Sequence, residues 1–226
     1  MTRLLLDLFC AGGGAARGYA EAGFEVIGVD NDASHRKRYP FRFMHADVLG
    51  LDVEFLRLFD AIHASPPCQF GTELRHAPGT KKDHPNLIPA TRRLLMASGK
   101  PYVIENVEDV RPHLIEPYLL CGSMFDLGAA GCRLQRHRLF ETNFPMDAPE
   151  CRHDERPVIG VYGGHIRLRS AKHGGRGTAD FVGQDKPAIA AEAMGIEGLT
   201  MNQLSEAIPP AYTKWIGDRI MSLLDA

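Results

Sequence analysis

The first thirty residues constrain the fold of this chain more than any other stretch. Residues 3–9 are short and mostly apolar, as expected of a buried parallel strand, and they run directly into Cys10-Ala11-Gly12-Gly13-Gly14. A helical segment follows over residues 15–22, Gly23 ends it, and residues 24–30 form a second predicted strand. This βαβ pattern predicts an α/β fold with a doubly wound, mainly parallel sheet.

The glycine turn and the strand ends predict a site for an adenosine-bearing ligand. A turn without side chains lets a ligand approach the backbone and the start of a helix. Asp30 ends the second strand, where a carboxylate is expected to accept hydrogen bonds from ribose hydroxyls, and Asp47 follows a third predicted strand over residues 41–45. Helix capping is the alternative for both, with Asp30 preceding a helix expected over residues 31–39. Because Arg17 stands where a dinucleotide fingerprint has glycine, S-adenosylmethionine is favoured over a nicotinamide cofactor.

A rigid loop follows the fourth predicted strand, residues 59–64. Its sequence is Ser65-Pro66-Pro67-Cys68-Gln69, in which each proline fixes its own φ and Pro67 also biases Pro66 away from the helical region. Cys68 is therefore held just beyond the carboxyl end of a strand, where open α/β sheets bind ligands. A free cysteine is more often a small buried hydrophobe, so Cys68 has both a catalytic and a structural interpretation.

A second candidate reactive group follows the next helix and strand. Residues 86–98 have a helical pattern, and residues 100–107 form a strand that delivers Glu105 at its end. A glutamate directly after Tyr-Val-Ile is costly to bury without a task or a partner. Glu105 is therefore a candidate acid or base.

Taken together, five motifs resemble those of the DNA cytosine-5 methyltransferases, in the order in which that family has them. The resemblance covers almost the whole chain except residues 141–185, and it is to a small phage or bacterial type with a reduced target-recognition region. The first, fourth, sixth, eighth and tenth family motifs correspond to Asp7-Leu8-Phe9-Cys10-Ala11-Gly12-Gly13-Gly14, Ser65-Pro66-Pro67-Cys68-Gln69, Glu105-Asn106-Val107, Gln135-Arg136-His137-Arg138 and residues 202–210.

The resemblance implies a covalent mechanism. The Cys68 thiolate would add to carbon 6 of a cytosine flipped out of the duplex, and a protonated Glu105 would hydrogen-bond to N3. Carbon 5 would then take a methyl group from S-adenosylmethionine, with S-adenosylhomocysteine as product. Arg136 and Arg138 would hold the cytosine carbonyl and order the catalytic loop. With one residue between them on a strand, they are expected to share a face, the alternative being a solvated basic strand.

The same resemblance implies two sets of ligand contacts. Residue 205 carries serine and residue 206 glutamate where the family usually has a glycine-asparagine pair, so the far edge of the cofactor is expected to be held differently. The implied cofactor contacts are Phe9, Gly12, Gly14, Asp30, Asn31, Asp47, Val48, Pro66, Ser205 and Ala207. The implied DNA contacts are Gln69, Arg75, Lys81, Lys82, Arg167, Arg169, Lys172 and Arg176.

The predicted domain organisation is a catalytic domain with one insert. Residues 1–140 and 186–226 would form the catalytic, cofactor-binding domain, and residues 141–185 a small target-recognition insert. Within that insert, the glycine-rich stretch 163–177 carries the densest group of arginines and lysines and is interpreted as a DNA-contacting loop. The loop over residues 70–85 is interpreted as one that closes over the substrate, with an ordinary surface loop as the alternative.

Composition limits the setting. A net charge of -2 argues against a general basic coat but allows a local basic groove. Five cysteines without a Cys-x-x-Cys pair suit a reducing compartment, and the amino-terminal sequence predicts neither a signal peptide nor a membrane span. These features predict an intracellular protein, and the resemblance implies a monomer in a bacterial or phage-infected cytoplasm that acts on double-stranded DNA in a restriction-modification setting. No metal is expected, because Cys132, Cys151, His153, His165 and His173 lack the short ligand spacing of zinc sites.

Three alternative functions remain open from the sequence. The same chemistry could act on cytosine in a transfer RNA. A nicotinamide dehydrogenase would share the fold, but it leaves Cys68 and Glu105 without explanation. A catalytically silent DNA-binding module is the third, and the presence of both Cys68 and Glu105 argues against it.

Overall fold

The computed structural model describes residues 2–71, 84–169, 181 and 183–226, and in these ranges it has strands and helices that build two sheets. The strands are β1 Arg3–Leu8, β2 Phe24–Asp30, β3 Arg42–His45, β4 Ala61–Ala64, β5 Tyr102–Asn106, β6 Tyr118–Leu120, β7 Gly128–Ala129, β8 Cys132–Leu134, β9 Arg138–Thr142, β10 Val158–Tyr162 and β11 His165–Arg169. The α-helices are α1 Gly14–Glu21, α2 Val53–Leu56, α3 Ile88–Ser98, α4 Lys186–Met194, α5 Met201–Glu206 and α6 Pro210–Leu224.

The main sheet has seven strands in the order β3-β2-β1-β4-β5-β9-β6. The five strands from β3 to β5 are parallel, whereas β9 runs antiparallel to both β5 and β6. The chain adds β2 and β3 on one side of β1 and then crosses to place β4 on the other side. The carboxyl ends of β1 and β4 therefore meet at a point where the strand order reverses, the usual ligand position in such sheets. The predicted doubly wound, mainly parallel sheet is confirmed.

Helices cover both faces of this sheet. On one face, α1 and α6 pack together over a core that includes Tyr19, Phe140 and Ile216. On the other face, α2 and α3 cover a second core that includes Leu6, Ile62 and Leu95. Burial of apolar side chains on both faces explains why the central strands read as nearly continuous apolar runs in the sequence.

A smaller sheet has the order β11-β10-β8-β7. It packs against α4 and α5 through a third apolar core that contains Leu134, Ile159, Met194 and Leu204. This sheet therefore combines residues 128–134, which precede β9, with residues 158–169, which follow it. The insert proposed for residues 141–185 accounts for two of its four strands.

Two local predictions differ from the observed structure. The helix expected over residues 31–39 is a short 3₁₀ helix, Ala33–Lys37, and its cap is Asp32 rather than Asp30. The stretch 163–177 was interpreted as a loop, but residues 165–169 form β11, which pairs with β10 across a turn at Gly163 and Gly164. Both glycines have positive φ, 57° and 78°, as a tight hairpin turn requires. Among the described residues, no helix is both long and apolar enough to cross a membrane.

Candidate active site

The loop that carries Cys68 is fixed by contacts to both neighbouring strands. The backbone N–H of Ser65 donates to the carbonyl of Leu8 at the end of β1, over 3.1 Å. The side-chain amide of Asn106, at the end of β5, donates to the carbonyl of Pro66 over 2.9 Å. Together with the two prolines, these bonds hold the half-buried Cys68 at the carboxyl edge of the sheet.

The surroundings of Cys68 favour the thiol over the thiolate in the ligand-free protein. Burial raises the pKa of Cys68, and the nearby negative charge of Glu105 raises it further, while Arg138 acts in the opposite direction. Cys68 is therefore protonated at neutral pH. A nucleophilic role requires its proton to be lost as the attack proceeds.

Glu105 is buried at the end of β5, with 6% of its surface exposed. Its Oε1 lies 3.0 Å from Nε of Arg138, the first residue of β9. Burial raises the pKa of the Glu105 carboxyl, whereas Arg138 and a hydrogen bond from Ser65 oppose the shift. The structure therefore brings Cys68, Glu105 and Arg138 into one site, as the sequence predicts.

A buried hydrogen-bond chain that the sequence analysis missed lies behind Glu105. The hydroxyl of Tyr19 on α1 is 3.0 Å from Nδ1 of His63, and Nε2 of His63 is 2.8 Å from Oγ of Ser65. Burial lowers the pKa of His63 to about 3, so its ring is neutral. If Tyr19 donates to Nδ1, then Nε2–H donates to Ser65, and the Ser65 hydroxyl donates to Glu105. His63 and Ser65 are two residues apart, so they share a face if the strand continues to Ser65. This period of two was the signal in the sequence that could have revealed their contact.

Arg136 does not occupy the position expected for it. It lies outside β9, its φ is +23°, and it is almost completely buried. Its guanidinium donates to three backbone carbonyls, those of Val161 (2.7 Å), Ser205 (2.7 Å) and Ala207 (2.7 and 3.1 Å). Burial lowers the pKa of Arg136 to about 9, which leaves it charged at neutral pH. The expectation that Arg136 and Arg138 share one face of a strand is wrong, because the positive φ turns the chain between them.

The glycine turn has the geometry of a ligand-binding loop. Phe9, Ala11 and Gly13 all have positive φ, at 57°, 42° and 77°. Such conformations cost about 1–3 kcal/mol each in residues other than glycine and persist where the surrounding structure enforces them. Part of that enforcement comes from Asp30, whose carboxylate accepts from the N–H of Ala11 (3.0 Å) and from that of Asp32 (2.9 Å).

The other predicted cofactor residues of the first half lie around this turn. Asp47 is exposed and accepts from the N–H of Leu49 (3.0 Å), which is the capping role that the sequence analysis left open. Gly12 has ordinary space for a side chain, whereas a Cβ on Gly14 would lie 2.7 Å from the carbonyl of Ile208, so Gly14 serves close packing. Asn31 is exposed, and Val48 and Pro66 are buried. Their cofactor contacts stay predictions.

Ser205 and Ala207 lie at the end of α5, where their carbonyls accept from Arg136. The Ser205 hydroxyl also accepts from the N–H of Gly164 (2.9 Å) in the β10–β11 turn. This segment therefore links the small sheet to the segment before β9. Contact of Ser205 and Ala207 with the cofactor stays a prediction.

The predicted DNA-contacting residues are only partly described. Gln69 and Arg167 are exposed, the former beside Cys68 and the latter on β11. The backbone of Arg169 ends β11, but its side chain lies outside the described part of the chain. Arg75, Lys81, Lys82, Lys172 and Arg176 also lie outside the described residues.

A second buried acid lies beneath the glycine turn and was not singled out from the sequence. Asp7 on β1 is 1% exposed, and burial raises its pKa to about 7. The hydroxyl of Tyr39 donates to its Oδ2 over 3.0 Å, and the Tyr39 ring packs against the backbone of Gly13 and Gly28. Asp7 and Tyr39 thus support the turn from below.

Comparison with known proteins shows similarity in fold. No protein-family model matches the sequence, and no curated protein matches it. Among solved structures, the Dnmt2 methyltransferase of S. pombe aligns over 100% of both chains with a TM-score of 0.63 and 13% identity. The Entamoeba histolytica methyltransferase EhMeth aligns over 99% of both chains, with a TM-score of 0.62 and 13% identity. A mutant of Spodoptera frugiperda DNMT2 aligns over 100% of both chains, with a TM-score of 0.57 and 13% identity. The methyltransferase-type fold expected from the sequence is thereby confirmed.

Proposed function

We propose that this protein is a cytosine-5 methyltransferase that uses S-adenosylmethionine. The observation that carries the proposal is the buried group of Cys68, Glu105 and Arg138 at the carboxyl ends of β4 and β5 and the start of β9. A thiol, a carboxyl with a raised pKa and a guanidinium are the groups that addition to a pyrimidine ring needs. The methyltransferases from S. pombe and Entamoeba histolytica, which have a similar fold, support the reaction class.

Cys68 acts as the nucleophile. Carbon 5 of cytosine is too weak a nucleophile to accept a methyl group unaided, so the sulfur first bonds to carbon 6 and raises the electron density at carbon 5. After methyl transfer, carbon 5 gives up its proton to water, the carbon 5–carbon 6 double bond re-forms, and the sulfur leaves carbon 6 as the regenerated Cys68 thiolate. Because the pKa of Cys68 is raised in the ligand-free protein, its proton leaves as the bond to carbon 6 forms.

Glu105 and Arg138 activate the ring. A carboxyl with a raised pKa can keep the proton that it donates to N3, which draws electron density from carbon 6 as the thiolate attacks. Arg138 holds Glu105 in place and can donate to the cytosine carbonyl with its remaining N–H groups. Arg136 positions this strand through its three carbonyl contacts and does not act as a catalytic residue.

The residues at the carboxyl ends of β1, β2 and β3 fit an adenosine-bearing methyl donor. Asp30 accepts one hydrogen bond from Ala11 in the glycine turn and one from the N–H of Asp32, and a carboxylate has about four acceptor sites, so it retains capacity for ribose hydroxyls. Asp47 is exposed at the next strand end, and the ring of Phe9 is half-exposed beside the turn. S-adenosylmethionine would supply an electrophilic methyl group at this edge of the sheet.

Double-stranded DNA is our proposed substrate, in a small enzyme of phage or bacterial modification systems that works as a cytoplasmic monomer. Gln69 lies exposed beside Cys68, and Arg167 is exposed on β11. Two exposed side chains of this kind suit contacts with a flipped nucleotide and with phosphates or guanine. Cytosine in transfer RNA is the competing substrate.

Mechanism-based trapping tests the proposal. The protein is incubated with S-adenosylmethionine and with DNA or transfer RNA that carries 5-fluorocytosine. Because fluorine cannot leave as a proton does, the adduct with Cys68 persists after methyl transfer and is identified by denaturing gel and peptide mass spectrometry. We expect an adduct on duplex DNA that Cys68→Ala abolishes and that Cys132→Ala retains. An adduct on transfer RNA alone would show that transfer RNA, and not DNA, is the substrate. The absence of an adduct on both nucleic acids would overturn the proposed reaction.

A further inference from the structure

Four side chains that can bind a metal lie together near the end of β6 and the start of β9. Cys121 follows β6, His137 precedes β9, and Cys151 and His153 lie in the irregular segment between β9 and β10. Their donor atoms all lie within 4.8 Å of one another. Nε2 of His153 is 2.9 Å from Sγ of Cys151 and 3.4 Å from Sγ of Cys121, and Nε2 of His137 is 3.5 Å from Sγ of Cys151.

These separations are close to those of a tetrahedral Cys₂His₂ site: two of the three fall within the expected range, and the Cys151–His153 pair, at 2.9 Å, is shorter. With Zn–S bonds of about 2.3 Å and Zn–N bonds of about 2.0–2.1 Å, the edges of a ligand tetrahedron are about 3.3–3.8 Å. Two thiolates and two neutral imidazoles are the ligand set that zinc prefers in structural sites. Four protein ligands also leave no open position for water or substrate, which separates a structural ion from a catalytic one.

Neighbouring groups orient the ligands as supporting residues in zinc sites do. Nδ1 of His137 lies 3.0 Å from a carboxylate oxygen of Glu108, which leaves Nε2 free to face the cluster. The hydroxyl of Ser123 donates to Sγ of Cys121 over 3.1 Å, a contact that favours the thiolate. A carboxylate on the second nitrogen of a metal-binding histidine fixes its tautomer and orientation.

We propose that Cys121, His137, Cys151 and His153 bind a structural zinc ion. Binding releases the two thiol protons, and the two thiolates neutralise the charge of the ion. The ion joins three segments: the turn after β6, the residues before β9, and the strand-free segment that leads to β10. Since His137 stands between Arg136 and Arg138, the ion fixes the backbone that positions both arginines.

The sequence spacing concealed this site. Of the five zinc candidates considered from the sequence, only Cys151 and His153 belong to the cluster. Cys132 and His165 lie in the small sheet, and His173 lies outside the described residues. Cys121 and His137 join the pair only because β6 and β9 are neighbours in the main sheet. Two of the four ligands, Cys121 and His137, are therefore brought to the site by the tertiary fold and not by sequence spacing.

Metal analysis of the full chain tests the site. The protein is purified under reducing conditions, equilibrated with zinc, freed of loosely bound metal and analysed for zinc and protein. We expect one zinc ion per chain. Replacement by Co²⁺ is expected to give the visible absorption of tetrahedral cobalt together with a thiolate-to-cobalt band in the near ultraviolet. Removing the ion with a chelator is expected to lower the melting temperature.

Variants separate this site from adventitious metal binding. Cys151→Ser and His153→Gln change exposed ligands, so the fold should persist while stoichiometric zinc and the cobalt spectrum are lost. Glu108→Gln should weaken zinc binding by about 10–100-fold. Cys132→Ser, at a buried cysteine outside the cluster, should keep the ion. Absence of stoichiometric zinc in the wild type, equal retention in Cys151→Ser, or a Cys121–Cys151 disulfide in the reduced protein would each overturn the proposal. None of these readouts depends on the methyltransferase reaction.

Discussion

Ser65 connects two parts of the candidate site at the scale of single residues. Its Oγ lies 2.8 Å from Nε2 of His63, and its hydroxyl donates to Glu105, a bond that lowers the pKa of a carboxyl whose pKa burial raises. Whether Glu105 holds a proton therefore depends on burial, which raises its pKa, and on Arg138 and the Ser65 hydroxyl, which lower it. A small change at Ser65 shifts that balance without removing any group that touches the substrate.

Ser65→Ala should raise the pKa of Glu105 further, because the carboxylate loses a hydrogen-bond donor. The alkaline limb of kcat/KM that reports loss of the Glu105 proton should move to higher pH, while the affinity for S-adenosylmethionine by calorimetry stays unchanged. Ser98→Ala is the matched control, since Ser98 is a buried serine on α3 whose hydroxyl bonds to backbone close by in sequence: it donates to the carbonyl of Leu95 and accepts from the N–H of Lys100. An alkaline limb at the same pH in Ser65→Ala and in the wild type would contradict the hydrogen-bond chain.

Asp7 should make stability depend on pH. Its pKa is raised from 3.8 to about 7 in the fold, so the folded state favours the protonated carboxyl. This contribution is complete below pH 3.8 and is lost as the pH rises to about 7. Between pH 5 and 8 the wild type should lose about 2–3 kcal/mol of unfolding free energy relative to Asp7→Asn, by urea denaturation. Tyr39→Phe removes a bond that lowers this pKa, so the loss should move to higher pH. If the unfolding free energies of the wild type and of Asp7→Asn change with pH in the same way, the raised pKa of Asp7 is refuted.

The residues that the sequence identified and those that it missed differ in a physical way. Cys68 and Glu105 stand in short, specific motifs at strand ends, where the fold itself brings them together. His63 and Asp7 lie inside apolar strands, and only the packing of Tyr19 and Tyr39 against them reveals a role. The predicted position of Arg136 was wrong because a positive φ in a residue other than glycine cannot be recognised from the sequence.

At the scale of elements, the contact between α1 and α6 fixes the position of the glycine turn. A Cβ on Gly18 would lie 2.0 Å from the carbonyl of Pro210 and 2.2 Å from Oγ1 of Thr213. The Thr213 hydroxyl in turn donates to the carbonyl of Ala15 over 2.8 Å. The helix that begins at the turn is therefore held against α6 at backbone distance, and no side chain larger than hydrogen fits between them.

Gly18→Ala should destabilise the protein by about 1–3 kcal/mol or more, because the added methyl overpacks this contact. It should also weaken binding of S-adenosylmethionine, since α1 moves with the turn that precedes it. Gly50→Ala is the control, because an added Cβ there meets nothing within 4 Å, and it should change stability by less than about 1 kcal/mol. Urea denaturation and calorimetry provide the two measurements. Equal effects of the two substitutions would show that α1 tolerates displacement.

Elements built from contiguous sequence were predicted well, and those built from distant pairing were not. The strands β1 to β5 and the helices α1 and α3 follow patterns that are local to each segment. The small sheet depends on the pairing of β8 with β10 across all of β9, which no local pattern records. Within residues 31–39 only a short 3₁₀ helix forms, Ala33–Lys37. Its N-cap is Asp32, and none of its residues is buried, so no apolar face stabilises a longer helix.

At the scale of the whole molecule, the net charge does not show how basic side chains are distributed between the carboxyl edge and the opposite edge of the main sheet. The chain carries a net charge of -2. Of the described residues proposed to meet DNA, Gln69 lies at the carboxyl edge of the main sheet and Arg167 lies on β11 of the small sheet. Arg42, Arg57 and Arg219 are exposed near the opposite edge or on the outer helix. If DNA approaches from the carboxyl edge, charge at the two edges should have unequal effects.

Replacing Arg167, Arg169 and Arg176 together by glutamine should weaken binding to duplex DNA and flatten its dependence on salt. Each phosphate contact that is lost should reduce the slope of log K against log[salt] by about 0.9, so loss of all three reduces it by about 2.7. The matched control replaces Arg42, Arg57 and Arg219 by glutamine, which removes the same charge from exposed positions away from the carboxyl edge. Fluorescence anisotropy over a salt series measures both slopes, with S-adenosylmethionine affinity as a check on folding. If both triple variants lose the same slope, the effect is one of net charge, and the small sheet does not define the DNA-binding surface.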